Sequence, residues 1–285
     1  MLSYQHAYHA GNFADVHKHL TLFAVVDHLL RKDSSITFID THAGRGLYPL
    51  SSPEAAKLRE HQLGVERLWK VARTLTSPSL LGDWLAALAN AQPGGAGKHR
   101  LEVYPGSPWW LAHRLRPGDL LTLFELHPGE HQHLSLQALP DNVRRVHGDG
   151  LAGLTRGLPA TTPRVCVLID PSYERKAEYI DISQSLMSAM RAARHAVVLV
   201  WYPLLPAGRH HELLDALRDS GLRKIWRSEL VVHPAGNDQR GMYGSGMLVV
   251  NPPWGLEERL TESMASVTPL LGKECRYSSG WWVGE

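Results

Sequence analysis

The stretch Val165-Cys-Val-Leu-Ile-Asp-Pro-Ser-Tyr173 decides the fold that this chain is expected to adopt. Its first five residues are apolar, which predicts a strand buried on both faces of a parallel sheet. Proline cannot donate a hydrogen bond to a neighbouring strand, so the chain leaves the sheet at Asp170. Ligands of open α/β sheets bind beyond the carboxyl ends of the strands. Asp170 and Tyr173 are therefore predicted to lie at a binding site.

The rest of the chain predicts an α/β fold with a mostly parallel sheet. Further apolar runs indicate strands, and helical patterns separate several of them. Asn12 or Asp15 is expected to cap a helix that runs to about Lys32. The last two strands have no helix between them, so we expect an antiparallel hairpin at the edge of the sheet. The predicted strands are 36–39, 120–126, 143–147, 165–169, 196–201, 223–232 and 247–250.

Composition limits the class of protein and its surroundings. The 285 residues are 44% hydrophobic and 20% charged, which predicts a globular chain, and we expect a monomer. No apolar run approaches about 18 residues and no signal pattern is present, so a cytoplasmic protein without membrane contact is expected. The distant Cys166 and Cys275 indicate a reducing compartment and no metal cluster. The net charge of +2 permits nucleic-acid binding without requiring it.

The loop Asp170-Pro-Ser-Tyr173 resembles a known catalytic motif. An acid or amide, two prolines and an aromatic residue are typical of methyltransferases that act on exocyclic amino groups of nucleobases. Ser172 departs from that pattern, because the family usually has a second proline there. The resemblance implies that these residues contact a target base.

The turn after the first predicted strand, Asp40-Thr-His-Ala-Gly-Arg-Gly46, indicates a cofactor loop. Gly44 and Gly46 allow the backbone to approach a ligand closely. A dinucleotide fingerprint would have a third glycine at position 49, but Pro49 stands there, which disfavours a dehydrogenase. A loop that admits the aminoacyl part of S-adenosylmethionine tolerates the observed pattern.

An acid at the end of the next strand would bind the ribose hydroxyls of such a cofactor, and Glu125 occupies that position. The number of residues between Gly46 and Glu125 is much greater than the roughly 20 expected in such folds. Residues 51–98 have helical apolar spacing and account for the excess. We therefore predict a methyltransferase domain formed by 1–50 and 99–285, with a helical insertion subdomain at 51–98.

Asp149-Gly150 follows a third predicted strand. An acid there can accept a hydrogen bond from the exocyclic amine of the cofactor adenine, although a plain turn is the better interpretation of that dipeptide alone. In series with Asp40, Glu125 and Asp170, the cofactor interpretation is favoured.

Nearly the whole chain is similar to the RlmJ family of bacterial 23S rRNA adenine-N6 methyltransferases. The opening His-Ala-Gly-Asn block is far more specific than a pair of glycines. The matching blocks are His9-Ala-Gly-Asn-Phe-Ala-Asp-Val-His-Lys-His19, Asp40-Thr-His-Ala-Gly44, Tyr104-Pro-Gly-Ser-Pro108, Glu125-Leu-His-Pro128, Asp149-Gly150 and Asp170-Pro-Ser-Tyr173.

The resemblance implies a Rossmann-like class I fold that uses S-adenosylmethionine and carries a small helical insertion. It implies that Asp170 is the catalytic acid–base residue and that Tyr4 lies at the RNA substrate, which would be 23S rRNA, protein-free or in an early precursor. The implied cofactor contacts, beside Gly44 of the glycine turn and Asp170, are Lys18, His19, His42, Ser107, Glu125, Asp149 and Gly150.

The residue types suit methylation of an adenine amine, which is a poor nucleophile because its lone pair is delocalised into the ring. The Asp170 carboxylate and the Pro171 carbonyl can each accept one of its N–H bonds and turn the lone pair towards the methyl group. Tyr173 is expected to stack on an adenine taken out of its helix.

Three alternatives remain open. The first is a DNA adenine-N6 methyltransferase, although only 51–98 could serve as a target-recognition domain. The second is a metal-dependent hydrolase, for which His131 and His133 could face one metal on a strand. The third is an inactive RNA-binding relative, which Ser172 makes more plausible.

Asn251-Pro-Pro-Trp254 matches the amino-methyltransferase motif more closely than the Asp170 loop does. It follows the terminal hairpin, far beyond the strand whose loop belongs in the active site. We interpret it as a proline-rich strand exit with a packed tryptophan.

We expect Ser172→Pro to raise the single-turnover rate of methyl transfer. A second proline would fix one backbone angle and preorganise the loop. An unchanged rate would contradict this argument about rigidity.

Overall fold

The computed structural model describes residues 4–72, 78–94, 100–236 and 241–285. Residues 73–77 and 95–98 of the predicted insertion lie outside this description. Within the described ranges, no helix is long and apolar enough to cross a bilayer.

Eight strands of the described chain form one sheet in the order β10-β8-β9-β7-β6-β1-β4-β5, and two short strands, β2 and β3, form a separate ribbon. The strands are β1 (Ile36–Asp40), β2 (Leu47–Pro49), β3 (Val103–Pro105), β4 (Leu120–Glu125), β5 (Val143–His147), β6 (Arg164–Ile169), β7 (Val197–Leu204), β8 (Ile225–Val231), β9 (Gly244–Val250) and β10 (Arg276–Val283).

Helices cover both faces of the large sheet, as its buried central strands require. Helices α1, α5 and α10 pack on one face, and α7, α8 and α9 on the other. The helices are α1 (Phe13–Leu29), α2 (Pro53–Leu58), α3 (Val65–Val71), α4 (Leu80–Asn90), α5 (Ser107–Ala112), α6 (Pro128–Ser135), α7 (Gly150–Gly157), α8 (Glu178–Ala192), α9 (His210–Asp219) and α10 (Leu256–Leu271).

The predicted α/β fold is confirmed. Strands β5, β4, β1, β6 and β7 are parallel, and β1 pairs with β4 on one side and β6 on the other. The strand order therefore reverses beside β1, which places a crevice at the carboxyl ends of β1 and β6. Asn12 caps α1 by accepting hydrogen bonds from the amides of Ala14 and Asp15, and α1 ends at Leu29, about three residues before the predicted end.

The late hairpin exists but does not form the edge of the sheet. Strands β8 and β9 are antiparallel, and β9 lies between β8 and β7. The edge strand is β10, which the sequence analysis did not predict and which pairs with the outer side of β8. Its residues Ser278, Ser279 and Gly280 interrupt the apolar alternation by which strands are recognised.

The described residues of 51–98 form α2, α3 and α4, of which α3 and α4 lie in the stretches with helical apolar spacing. The ribbon of β2 and β3 joins the chain where it enters and leaves this segment. Leu68 and Trp84 are buried in the same apolar cluster as residues of α1. The helices thus share a core with the sheet domain, and their separation as a subdomain stays a prediction.

Helix α7 contains three glycines, and two of them, Gly153 and Gly157, have opposite surroundings. A Cβ atom on Gly153 would lie 2.2 Å from the Phe124 ring of β4, whereas one on Gly157 would meet no atom within 4 Å. The close approach of α7 to β4 therefore requires glycine at position 153 and not at position 157.

Gly153→Ala is expected to lower the free energy of unfolding by about 1–3 kcal/mol through overpacking. Gly157→Ala, its control in the same helix, is expected to raise that free energy by about 0.5–1 kcal/mol. Urea unfolding measures both, and equal effects would contradict the packing argument.

Candidate active site

A cavity of about 690 Å³ opens at the carboxyl ends of the parallel strands. Loops after β1, β4, β5 and β6 supply its walls, together with α1 and the residues before it. It brings together eleven of the twelve residues that the sequence analysis assigned to the site: Tyr4, Lys18, His19, His42, Gly44, Ser107, Glu125, Asp149, Gly150, Asp170 and Pro171.

Tyr173 is the predicted site residue that does not line the cavity. Its backbone has a φ of 54°, which turns the ring inwards, and the residue is 8% exposed. The ring lies 4.4 Å from that of Tyr179, and its hydroxyl donates a 2.6 Å hydrogen bond to the Trp201 carbonyl. Trp201 itself lines the cavity. The stacking assigned to Tyr173 therefore requires a different arrangement of this loop.

The Asp170 carboxylate is paired with Lys18. Lys18 Nζ lies 2.5 Å from Asp170 Oδ2 and 3.0 Å from Asp15 Oδ1. Burial disfavours the ammonium, but the two carboxylates outweigh burial and raise the pKa of Lys18. Burial also raises the pKa of Asp170, and Lys18 opposes that shift only in part. The cavity thus holds a buried cation shared between two acids.

The sequence analysis assigned no site role to Asp15 and did not single out His6. Asp15 Oδ2 accepts hydrogen bonds from His6 Nε2 at 2.9 Å and from the Gly11 amide at 2.7 Å. His6 Nδ1 lies 2.9 Å from the Tyr4 hydroxyl. Both residues line the cavity. Helix α1 is buried from Ala14 to Val26, so its polar side chains need hydrogen-bonding partners inside the protein. This burial is the feature that marks Asp15 as a candidate site residue.

The glycine turn and Glu125 fix one another. Gly44 has a φ of 62°, and a Cβ atom there would lie 2.2 Å from the Tyr48 hydroxyl. Its amide donates a 2.7 Å hydrogen bond to Glu125 Oε2, and the His127 amide donates a 2.6 Å bond to Oε1. Burial raises the pKa of Glu125, whereas these amides favour its charged form. The carboxylate is thereby held at the end of β4.

The turn after β1 contributes further buried polar groups. Burial raises the pKa of Asp40 to about 7 and lowers that of His42 to about 4. The His42 amide donates to Asp40 Oδ1 at 3.2 Å. On α1, His19 Nδ1 lies 2.8 Å from the Tyr104 hydroxyl, and burial lowers the pKa of His19 well below its usual value. The two histidines are therefore neutral at pH 7.

Asp149 caps α7 by accepting hydrogen bonds from the amides of Leu151 and Ala152 through Oδ1. The residue is exposed and lies at the cavity wall with Gly150. Both capping hydrogen bonds use Oδ1, so the other carboxylate oxygen is left for a cofactor amine. The plain-turn and cofactor interpretations of Asp149-Gly150 are thus compatible.

Asn251-Pro-Pro-Trp254 lies at the opposite end of the sheet. Because β9 is antiparallel to β7, its last residue, Val250, pairs with Val198 near the start of β7. The side-chain Nδ2 of Asn251 donates to the carbonyls of Arg194 and Ala196, which precede β7. Trp254 is 90% exposed, so the expectation of a packed tryptophan was wrong. The motif-like loop has a structural hydrogen-bonding role.

The surroundings of the histidines that could have been metal ligands are those of helix and core residues. His131 and His133 lie on α6 and not on a strand, because His127 caps that helix and Pro128 is in its first turn. His17 is buried between the hydroxyls of Ser245 and Ser228. In the part of the chain that the structure describes, no group of three histidine, cysteine, aspartate or glutamate side chains could hold a metal ion.

A family model described as ribosomal RNA large subunit methyltransferase D, RlmJ, matches residues 33–283. The chain belongs to this family. Such a family member uses S-adenosylmethionine as its cofactor. The cavity fits that group, since the turn at Gly44 presents backbone to it and Glu125 supplies a fixed carboxylate beside the turn.

Two curated relatives support the assignment. The chain is 35% identical to the ribosomal RNA large subunit methyltransferase J of Haemophilus influenzae, over all of this chain and 98% of the relative. It is 36% identical to the protein of that name from Escherichia coli, over 91% of this chain and 90% of the relative. A crystal structure of a Legionella pneumophila protein, 32% identical, superposes with a TM-score of 0.86 over 96% of this chain and 98% of that one.

We expect Asp170→Ala to lower the rate of methyl transfer by at least about 100-fold, the range for loss of a group that exchanges a proton with the substrate. Asp170→Asn keeps an oxygen that can accept an N–H but removes the charge, so we expect a smaller loss than in Asp170→Ala. Both rates are measured in single turnover at saturating cofactor.

Asn251→Ala is the matched control. It loses two hydrogen bonds and about 1 kcal/mol of stability, but its methylation rate should stay within about twofold. A larger loss of rate in Asn251→Ala than in Asp170→Ala would move the active site to the other end of the sheet.

Proposed function

We propose that this chain transfers a methyl group from S-adenosylmethionine to the N6 atom of an adenine in 23S ribosomal RNA. The observation that carries the proposal is the position of Asp170 and Pro171, which follow β6 and line the same cavity as Gly44 and Glu125. An amine held by the first pair would lie beside a cofactor held by the second. The names of the two curated relatives support ribosomal RNA as the substrate.

Asp170 and Pro171 would orient the target amine. When bound, the cofactor supplies an electrophilic methyl group. The Asp170 carboxylate and the Pro171 carbonyl each offer an acceptor for one N–H of the adenine, which leaves the lone pair free to point at that methyl group. Orientation of this kind can lower a barrier by several kcal/mol.

Lys18 would keep Asp170 in the form that orientation requires. With the ammonium 2.5 Å away, the carboxylate is stabilised as an anion and accepts rather than donates a hydrogen bond. After transfer the product nitrogen is acidic and releases a proton. Burial raises the pKa of Asp170, which makes the carboxylate a better acceptor for that proton.

The target adenine would have to leave its helix to reach this cavity, since a stacked and paired amine cannot approach the methyl group. Tyr4, His6 and Trp201 line the cavity together with Asp170 and are therefore available to contact the extruded base. Of these, Tyr4 is the residue for which the family resemblance implies a position at the RNA substrate.

The test is methyl transfer from radiolabelled S-adenosylmethionine to protein-free 23S rRNA, 16S rRNA and duplex DNA, with Asp170→Ala as the control. We expect label in 23S rRNA alone, recovered as N6-methyladenosine and absent with the variant. Label in DNA alone would support the transfer of a methyl group but would contradict ribosomal RNA as the substrate. Label recovered as another methylated nucleoside would overturn the assignment to adenine N6.

A further inference from the structure

The described part of the segment 51–98 lines the active-site cavity with Glu60, Leu63 and Arg67, and the carboxylate among them is that of Glu60, in the 3-10 turn Glu60–Gln62. Glu60 Oε1 accepts a 3.0 Å hydrogen bond from His9 Nδ1, and Oε2 accepts a 2.9 Å bond from Asn12 Nδ2. Both partners precede α1 and line the cavity. One carboxylate thus joins the insertion to the first residues of the described chain.

The His9 contact reaches the residue expected at the RNA. The rings of His9 and Tyr4 are stacked, with centroids 5.6 Å apart and planes 4° from parallel. The Tyr4 hydroxyl is bonded to His6, and His6 to Asp15. Holding the His9 ring in place therefore restricts the Tyr4 ring at the cavity wall.

The Asn12 contact reaches the start of α1. Its amide oxygen accepts the first free N–H groups of the helix, while its amide nitrogen donates to Glu60. The two contacts together determine which way the amide group faces. A separate hydrogen bond joins the same two segments through the backbone alone: the Val65 amide donates to the Gly11 carbonyl at 2.9 Å.

We propose that Glu60 is a positioning residue for the target base, acting through His9 on Tyr4. This inference rests on the function proposed above. Glu60 touches neither Lys18 nor Glu125 in the described contacts, so its effect should fall on the step that uses the base and not on cofactor affinity. A small displacement of an orienting group is sufficient to lower a rate by one or two orders of magnitude.

The experiment compares Glu60→Ala with Glu66→Ala. Glu66 lies on α3 of the same segment, has a similar exposure of 31% against 34%, and pairs with Lys70. We expect Glu60→Ala to lower the single-turnover rate about tenfold at saturating RNA, with the cofactor Kd within about twofold. Glu66→Ala should change neither quantity.

Two further variants test the route. Glu60→Gln keeps an oxygen that can accept from His9 but turns a donor towards Asn12 Nδ2, so only the His9 contact survives. Because the proposed effect runs through His9, this variant should recover most of the rate. In a His9→Ala background, Glu60→Ala should change the rate of methyl transfer little further, because the His9 ring through which Glu60 acts is already absent. A full tenfold loss in that background would overturn the route through His9.

Amide hydrogen exchange of residues 4–12 provides a readout that needs no methylation. We expect faster exchange in Glu60→Ala than in Glu66→Ala or the unaltered protein, because the segment loses two contacts. Equal exchange in the two variants would overturn the inference. Exchange that depends on Glu60 in a protein that methylates no adenine would overturn the proposed function and leave the positioning by Glu60 standing.

Discussion

The structure depends on the burial of the Lys18 ammonium between Asp15 and Asp170. A cation inside a protein is tolerated only when acids and hydrogen bonds replace its water. One acid, Asp15, lies on α1 itself, and the other, Asp170, directly follows β6. The two ion pairs of Lys18 therefore hold α1 against the end of β6, a central strand of the sheet. Removal of Lys18 would leave two buried acids without their shared cation, and removal of either acid would leave the ammonium with a single carboxylate partner.

Much of the site was predictable because parallel strands end at a common edge. Asp40, Glu125 and Asp170 each end or follow an apolar run in the sequence, Asp149 follows the mixed strand 143–147, and topology alone brings such residues together. The prediction needed strand ends only to within a residue or two. Asn12 was likewise recognisable as a cap, since its preference for that position is a local property.

What could not be predicted depends on contacts between distant segments or on single backbone angles. Glu60 and His9 are 51 residues apart, and no pattern in either segment indicates the other. Tyr173 was expected in the cavity, and its positive φ turns it into the wall. The edge strand β10 was missed because small polar residues interrupt its apolar pattern, although it pairs with neighbouring β8 from Arg276 to Val283, with one irregularity after Trp281.

The ribbon of β2 and β3 has a consequence for how such proteins can diverge. Where the chain enters and leaves the insertion, the Gly106 amide donates a 2.7 Å hydrogen bond to the Gly46 carbonyl, and Gly44 and Ser107 of the site lie on either side. The free energy of closing a loop grows slowly with its length. The ribbon thus holds the two ends of the inserted segment together beside the cofactor pocket, so the length of that segment can change at little entropic cost as long as the residues that pack on α1, such as Leu68 and Trp84, are kept.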